Sequence, residues 1–219
     1  MSSKYTTTPS SLLSLPEQEK LIQKLQLFTI QGRDKRGSNV LCIIGKFFPA
    51  RLVSVGALVK YLEEKIFPNL TDKPFSVVYV HTGVTRAENS PGISALRTIY
   101  HAIPIEVKDN LETVYFLHPG FPSRLFLATF GRLLFGGGLY GKLKYLNRLD
   151  FLWNNVRRKE IEIPEFVYNY DEEMECRSMM TMNYGLESDH PRARPRVFYN
   201  TTPPSVDDAL PFYSMRCIA

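Results

Sequence analysis

Runs of β-branched and aromatic residues alternate with helical stretches between Asn39 and Leu146, and this alternation restricts the fold more than any other feature. Asn39–Phe47, Phe75–Val80, Leu111–Leu117 and Lys142–Leu146 read as strands. Between them, Val55, Leu58, Val59, Leu62 and Ile66 share one helical face behind a capping Ser54. Ser90-Pro91 opens a further helix to about Ala102, and Pro122–Phe135 forms another. Upstream, Leu21, Ile22, Leu25 and Phe28 predict a helix over Leu15–Ile30, capped by Ser14, before a polar turn at residues 32–37. Downstream, Arg148–Val156 and Pro164–Glu173 read as short helices. Strands joined by crossover helices predict an α/β fold with a mainly parallel sheet covered by those helices.

The 219 residues suit one domain with extensions. Residues 1–14 read as a flexible arm, 15–37 as the N-terminal helix and turn, 38–175 as the α/β domain. Residues 176–219 lack periodicity and read as a mostly disordered tail. Hydrophobic residues make up 44%, enough to bury a core. The net charge of +5 is mild and scattered, so it permits contact with an anionic surface and points away from nucleic acid. The segment 1–14 has no apolar core of a secretory signal. Cys42, Cys176 and Cys217 are odd in number and widely spaced, which predicts neither a disulfide framework nor a metal site. These features together predict a cytoplasmic chain, with peripheral membrane contact allowed.

Gly136-Gly137-Gly138-Leu139-Tyr140-Gly141-Lys142 fits the first seven positions of a phosphate-binding loop. Its eighth position is Leu143 where Ser or Thr must hold magnesium, and the glycines follow a helix and precede a strand, the reverse of such a loop. They read instead as a helix stop and hinge. His81 and His118 stand near strand C-termini, where α/β sheets bind ligands, although a structural imidazole bonded to a neighbouring loop fits both positions as well. No paired-histidine zinc motif and no nucleophile elbow occur, so the pattern predicts no metal, no cofactor and no enzyme.

In Phe121–Phe135, Leu125, Phe126, Leu127, Phe130, Leu133, Leu134 and Phe135 cover most of the helix circumference, interrupted by Arg124, Thr129 and Arg132. A helix this apolar is buried on both sides or faces lipid. It reads either as a core helix or as a lid over an apolar cavity, hinged at the glycines behind it. Lys142 and Lys144, just past the hinge, are placed to meet a phosphate headgroup or to be solvated surface lysines.

Four stretches in order resemble the divergent CRAL-TRIO domain, the branch that includes BCH domains and the C-terminal domain of ganglioside-induced differentiation-associated proteins. They are Val77–Gly83, Leu111–Pro119, Phe121–Phe135 followed by Lys142–Leu146, and Ile161–Pro164 leading to Tyr170-Asp171-Glu172. The resemblance implies an apolar ligand cavity between the sheet and a gate helix, here Pro122–Phe135. In phospholipid-transfer members a Lys similar to Lys142 helps hold an inositol phosphate, and its acidic partner falls near Lys108 here, with Glu106 two residues away. The multi-helix N-terminal region of those proteins is reduced to one helix.

The leading expectation is non-enzymatic binding, transfer or sensing of a phospholipid or other hydrophobic molecule. Phe126, Phe130, Leu134 and Phe135 would line the pocket, and Arg124, Lys142, Lys144, Tyr145, His81 and His118 would complete it. An anionic membrane surface is a transient partner in that reading. The alternative is a BCH-like interaction module for a small GTPase or its regulators, with a closed pocket filled by side chains.

Overall fold

A computed structural model describes residues 13–185, except the side chains of Leu133, Leu134, Gly137 and residues 177–185. The expected arm, residues 1–14, and the tail beyond 185 therefore lie outside the described residues, apart from Leu13 and Ser14. Two compact units divide at Pro164 and Glu165.

In the first unit, α1 spans Leu15–Lys24 and opens on a capping box, Glu17 accepting from the Ser14 amide at 2.8 Å. The helix predicted to reach Ile30 stops early. Gln26 adopts a left-handed conformation (φ 48°), closing α1, and Phe28–Arg33 becomes strand β1. The remaining strands are β2 (Asn39–Ile44), β3 (Phe75–Val80), β4 (Leu111–Leu117) and β5 (Leu143–Leu146), in spatial order β1-β2-β3-β4-β5. β1 pairs antiparallel with β2, and the other pairs are parallel. The sheet is thus mainly parallel, as the alternation predicts.

Because β2 to β5 advance in one direction, right-handed crossovers bring their helices to one face. These are α2 (Val55–Tyr61), α3 (Arg86–Asn89), α4 (Ile93–Ala102), α5 (Ile105–Asn110) and α6 (Phe121–Gly141). Ser54 caps α2 by accepting from the Ala57 amide at 3.2 Å, and buried Gln18 of α1 accepts from the Ser54 amide at 2.7 Å. A π turn at Leu62–Ile66 continues α2. The register Leu41↔Val77↔Val114 sets the face under these helices, and Cys42↔Val78↔Tyr115 sets the opposite one. The opposite face is covered by α7 (Leu149–Trp153), which packs on β4 and β5, with Leu149, Leu152 and Val156 buried.

α6 is broken where the glycines predict a stop. Gly136 has φ 68° and ψ 169°, and behind it Tyr140 folds back so that a Cβ on Gly131 would lie 2.8 Å from its ring. That dihedral pair is essentially restricted to glycine. A Cβ on Gly136 would find its nearest neighbour, the Tyr100 hydroxyl, at 3.9 Å, so space does not limit a side chain there. Gly136→Ala is therefore expected to destabilise the fold by roughly 1–3 kcal/mol through backbone strain alone, read by denaturant unfolding. An unchanged midpoint would show that the break does not depend on glycine.

The second unit, as described, is α8, Glu165–Gly185. It extends the helix predicted over Pro164–Glu173 as far as Gly185, into residues read as tail.

Candidate functional site

On the helix-covered face of the sheet, a cavity of about 500 Å³ opens between the strands and α2, α4 and α5. Its floor is Leu41 and Ile43 of β2, Phe75, Val77 and Tyr79 of β3, and Leu111 of β4. Leu58, Leu62 and Ile66 close one side, the last two from the π turn. Leu96, Ile99 and Ile103 close another at helical spacing. Gly138 and Leu139, beyond the break in α6, complete the wall.

Polar groups on this lining are few. Asn89 is committed to the protein, its amide donating to the carbonyls of Lys46 (2.8 Å) and Phe48 (3.2 Å). The Tyr79 hydroxyl is buried, and desolvation pushes its pKa up to about 12, so it stays neutral. Lys108, Asp109 and Lys142 supply the charge. Lys142 donates to the Lys108 carbonyl at 3.2 Å, and the Lys108 ammonium sits 4.7 Å from the Tyr100 ring centroid. Among the described residues neither lysine pairs with a carboxylate.

Of the residues expected to bind ligand, Lys142 lines this cavity. Phe135 touches it indirectly, packing edge-on against Tyr100 at 5.4 Å. Phe126 and Phe130 pair with each other at 5.5 Å on α6, with Phe130 46% exposed. Arg124 is held at the start of α6 by the Pro119 carbonyl (3.1 Å) and Asn147. Lys144 lies across the sheet, its ammonium 5.9 Å from the Tyr115 ring. The Leu134 side chain lies outside the described residues. The sequence signals Tyr100 only through the Leu96, Ile99, Ile103 stripe that aims α4 at the sheet, whereas Lys108 stands where the resemblance places the acidic partner of the Lys142-like residue.

His81 and Tyr145 belong to a second grouping. Tyr79, His81 and Tyr145 surround the Phe116 ring at 5.0, 5.1 and 6.1 Å. The His81 Nε2 lies 2.7 Å from Ser123 Oγ, joining the first turn of α6 to the end of β3. Its Nδ1 is buried without a hydrogen-bond partner. His118 takes the structural role, buried with its Nδ1 2.8 Å from the Thr82 hydroxyl. No group of three metal-ligating side chains occurs among the described residues.

Burial among the rings holds His81 below its ordinary 6.5. The unfolded chain binds this proton near 6.5, whereas the folded chain binds it only at lower pH. The contribution of His81 to stability is therefore complete above 6.5 and declines as pH falls toward the folded value. His81→Gln should flatten the pH dependence of unfolding below about pH 6.5, the unperturbed imidazole value. Parallel wild-type and variant curves would exclude His81 as the source.

The match to known proteins rests on the segment that builds this cavity. The sequence profile of the "Divergent CRAL/TRIO domain" matches residues 37–173, taking in every strand from β2 to β5 and the helices around the cavity. This chain belongs to the divergent CRAL/TRIO family. It is 30% identical over 153 residues to ganglioside-induced differentiation-associated protein 2 of Xenopus tropicalis, covering 68% of this chain and 30% of that protein. The Rattus norvegicus protein of that name is 29% identical over the same length. The "Protein GDAP2 homolog" of Drosophila melanogaster is 27% identical over 140 residues, 64% of this chain and 25% of that protein. The CRAL/TRIO chain thus spans less than a third of the length of these relatives.

Proposed function

We propose that this CRAL/TRIO domain binds a small hydrophobic molecule in the cavity beneath α2, α4 and α5, as a carrier or sensor and not as a catalyst. The observation that carries this reading is the cavity itself. At about 500 Å³ it falls within the ~300–1,000 Å³ of ligand pockets. A module whose pocket is filled by its own side chains would leave much less space. Apolar lining supplies affinity at ~25 cal/mol per Å² buried, and Lys108 and Lys142 supply an attraction for an anionic head.

The reading also accounts for the surface of α6. Phe121 is 77% exposed and Leu125 52%, near Arg124 on the same helix. Among the described residues no helix is long and apolar enough to cross a membrane. An exposed apolar edge with cations suits transient contact with an anionic bilayer from the cytoplasmic side, weakening with salt. The decisive experiment is mass spectrometry of organic extracts from the purified protein, with uptake from vesicles of phosphatidylcholine and phosphatidylserine. A stoichiometric lipid is the expected result. A protein that carries none and takes up none would refute the proposal.

A further inference from the structure

One hydroxyl in the cavity wall has no acceptor. Tyr79 stands on the floor of the cavity, stacked on Phe116 at 5.0 Å, and its oxygen rests beside Gly45, just past the end of β2. A Cβ on Gly45 would lie 2.6 Å from that oxygen and 2.8 Å from Val84 Cγ2, so the bare backbone at residue 45 is what gives the hydroxyl its seat. Among the described residues this hydroxyl makes no hydrogen bond. Protein atoms do not seal it as they seal the His81 Nδ1, and both Tyr79 and Gly45 line the cavity, so its open side is the cavity.

A desolvated hydroxyl without a partner is unfavourable, and burial keeps this one protonated and therefore a donor. The surroundings supply nothing to receive it. The Gly45 carbonyl already accepts from the Phe48 amide at 3.1 Å. The oxygen of Asn89, the other neutral polar side chain of the lining, accepts from the Thr85 amide at 3.0 Å. A water at this place would find one polar partner, where an ordered buried water needs roughly two to four. The charged groups stand elsewhere. Lys108 and Asp109 precede Leu111, which pairs with Phe75, and the Lys142 ammonium is bonded to the Lys108 carbonyl. Tyr79 lies four residues farther along β3, about 13 Å at ~3.3 Å per residue.

We infer that Tyr79 is the specificity-determining residue of the cavity, and that its ligand carries a neutral oxygen acceptor, a carbonyl or hydroxyl, which takes the Tyr79 hydrogen bond within an otherwise apolar contact. The inference rests on the cavity-binding reading above and adds to it the group by which one apolar molecule is chosen over another. A bare hydrocarbon at this place strands the hydroxyl and is disfavoured. An ionised group is disfavoured as well, because one neutral donor in apolar surroundings does not replace the water that a charge gives up.

The test uses the full chain stripped of bound lipid and a matched pair of probes, benzophenone and diphenylmethane, which share two rings and differ in the oxygen at the bridge. Binding to wild type and to Tyr79→Phe is followed by displacement of a fluorescent apolar dye. The ratio of benzophenone to diphenylmethane affinity should fall about fivefold or more in Tyr79→Phe, the effect of one ordinary hydrogen bond. Comparing ratios in a two-by-two cycle cancels the different hydration of the two probes. The infrared carbonyl band of bound benzophenone should lie at lower frequency in wild type than in Tyr79→Phe, a signature that a change in packing alone does not produce. Tyr79→Phe should melt no lower than wild type, since the hydroxyl has no protein partner to lose, so a lost preference is not a lost fold. An equal ratio in the two proteins, or a carbonyl band at the same frequency in both, would overturn the inference while leaving the cavity reading standing. Failure of both probes and the dye to bind wild type would overturn both.

Discussion

Val77→Trp is expected to abolish most uptake of an apolar probe while leaving the protein folded. Val77 sits at the middle of β3, paired with Leu41 and Val114, and its side chain forms part of the cavity floor. An indole there projects into space that no protein atom fills, so the usual cost of overpacking a dense core does not arise. It would take roughly 100 Å² of lining from a ligand, about 2.5 kcal/mol at ~25 cal/mol per Å², or about 60-fold in affinity. The melting temperature should stay within about 4 °C of wild type, the shift that ~1 kcal/mol makes in a chain of this size. The neighbouring residue supplies the control. Val78 faces the opposite side of the sheet and is fully buried. Val78→Trp forces an indole into close-packed surroundings and should cost ~1–3 kcal/mol or more. Equal destabilisation by the two substitutions would show that the cavity is filled in solution. Wild-type uptake by a folded Val77→Trp protein would show that ligand binds elsewhere.

That contrast between adjacent residues also shows what a sequence can and cannot disclose. β2 to β5 were legible because runs such as Phe75–Val80 leave no polar face and suit a strand covered on both sides. β1 was not. Phe28 continues the helical spacing of Leu21, Ile22 and Leu25, and the switch from helix to strand depends on Gln26 taking a left-handed conformation, a choice that glutamine does not advertise. Gly136 did advertise the break in α6, since three successive glycines remove any reason to stay helical. The cavity was visible only as a set of apolar helical faces. Leu58, Leu62 and Ile66, like Leu96, Ile99 and Ile103, are spaced as they would be around a filled core. Whether facing stripes meet or stand apart depends on element placement, here on the π turn that widens the end of α2 and on the break in α6. Lys142 could be picked out because it follows the glycines. Lys108 reaches the same place from 34 residues upstream, a proximity that only the parallel pairing of β4 with β5 creates.

Asp34→Ala is expected to be among the most damaging single changes, by ~3 kcal/mol or more, because the hydrogen-bonding groups it serves are themselves buried or tied into turns. Asp34 is 1% exposed. One carboxylate oxygen accepts from the amides of Arg36 and Ser38, both at 2.9 Å, and shapes the turn between β1 and β2. The other accepts from Ser76 Oγ of β3 at 3.0 Å, with Ser76 itself fully buried. The Asp34 backbone also bridges to Val156 beneath the sheet. One side chain thus joins the edge hairpin to a central strand. Truncation would strand the Ser76 hydroxyl in an apolar interior and leave the turn amides without their acceptor. Asp34→Asn keeps an acceptor for the amides and gives Ser76 a donor in place of an acceptor, so a cost nearer ~1 kcal/mol follows from one rearranged bond. Ser76→Ala combined with Asp34→Ala should cost less than the sum of the two, since removing both partners leaves no stranded hydroxyl. Denaturant unfolding of the four proteins in a double-mutant cycle measures this directly. Additive costs would show that Asp34 acts on the turn alone and that its bond to β3 contributes nothing.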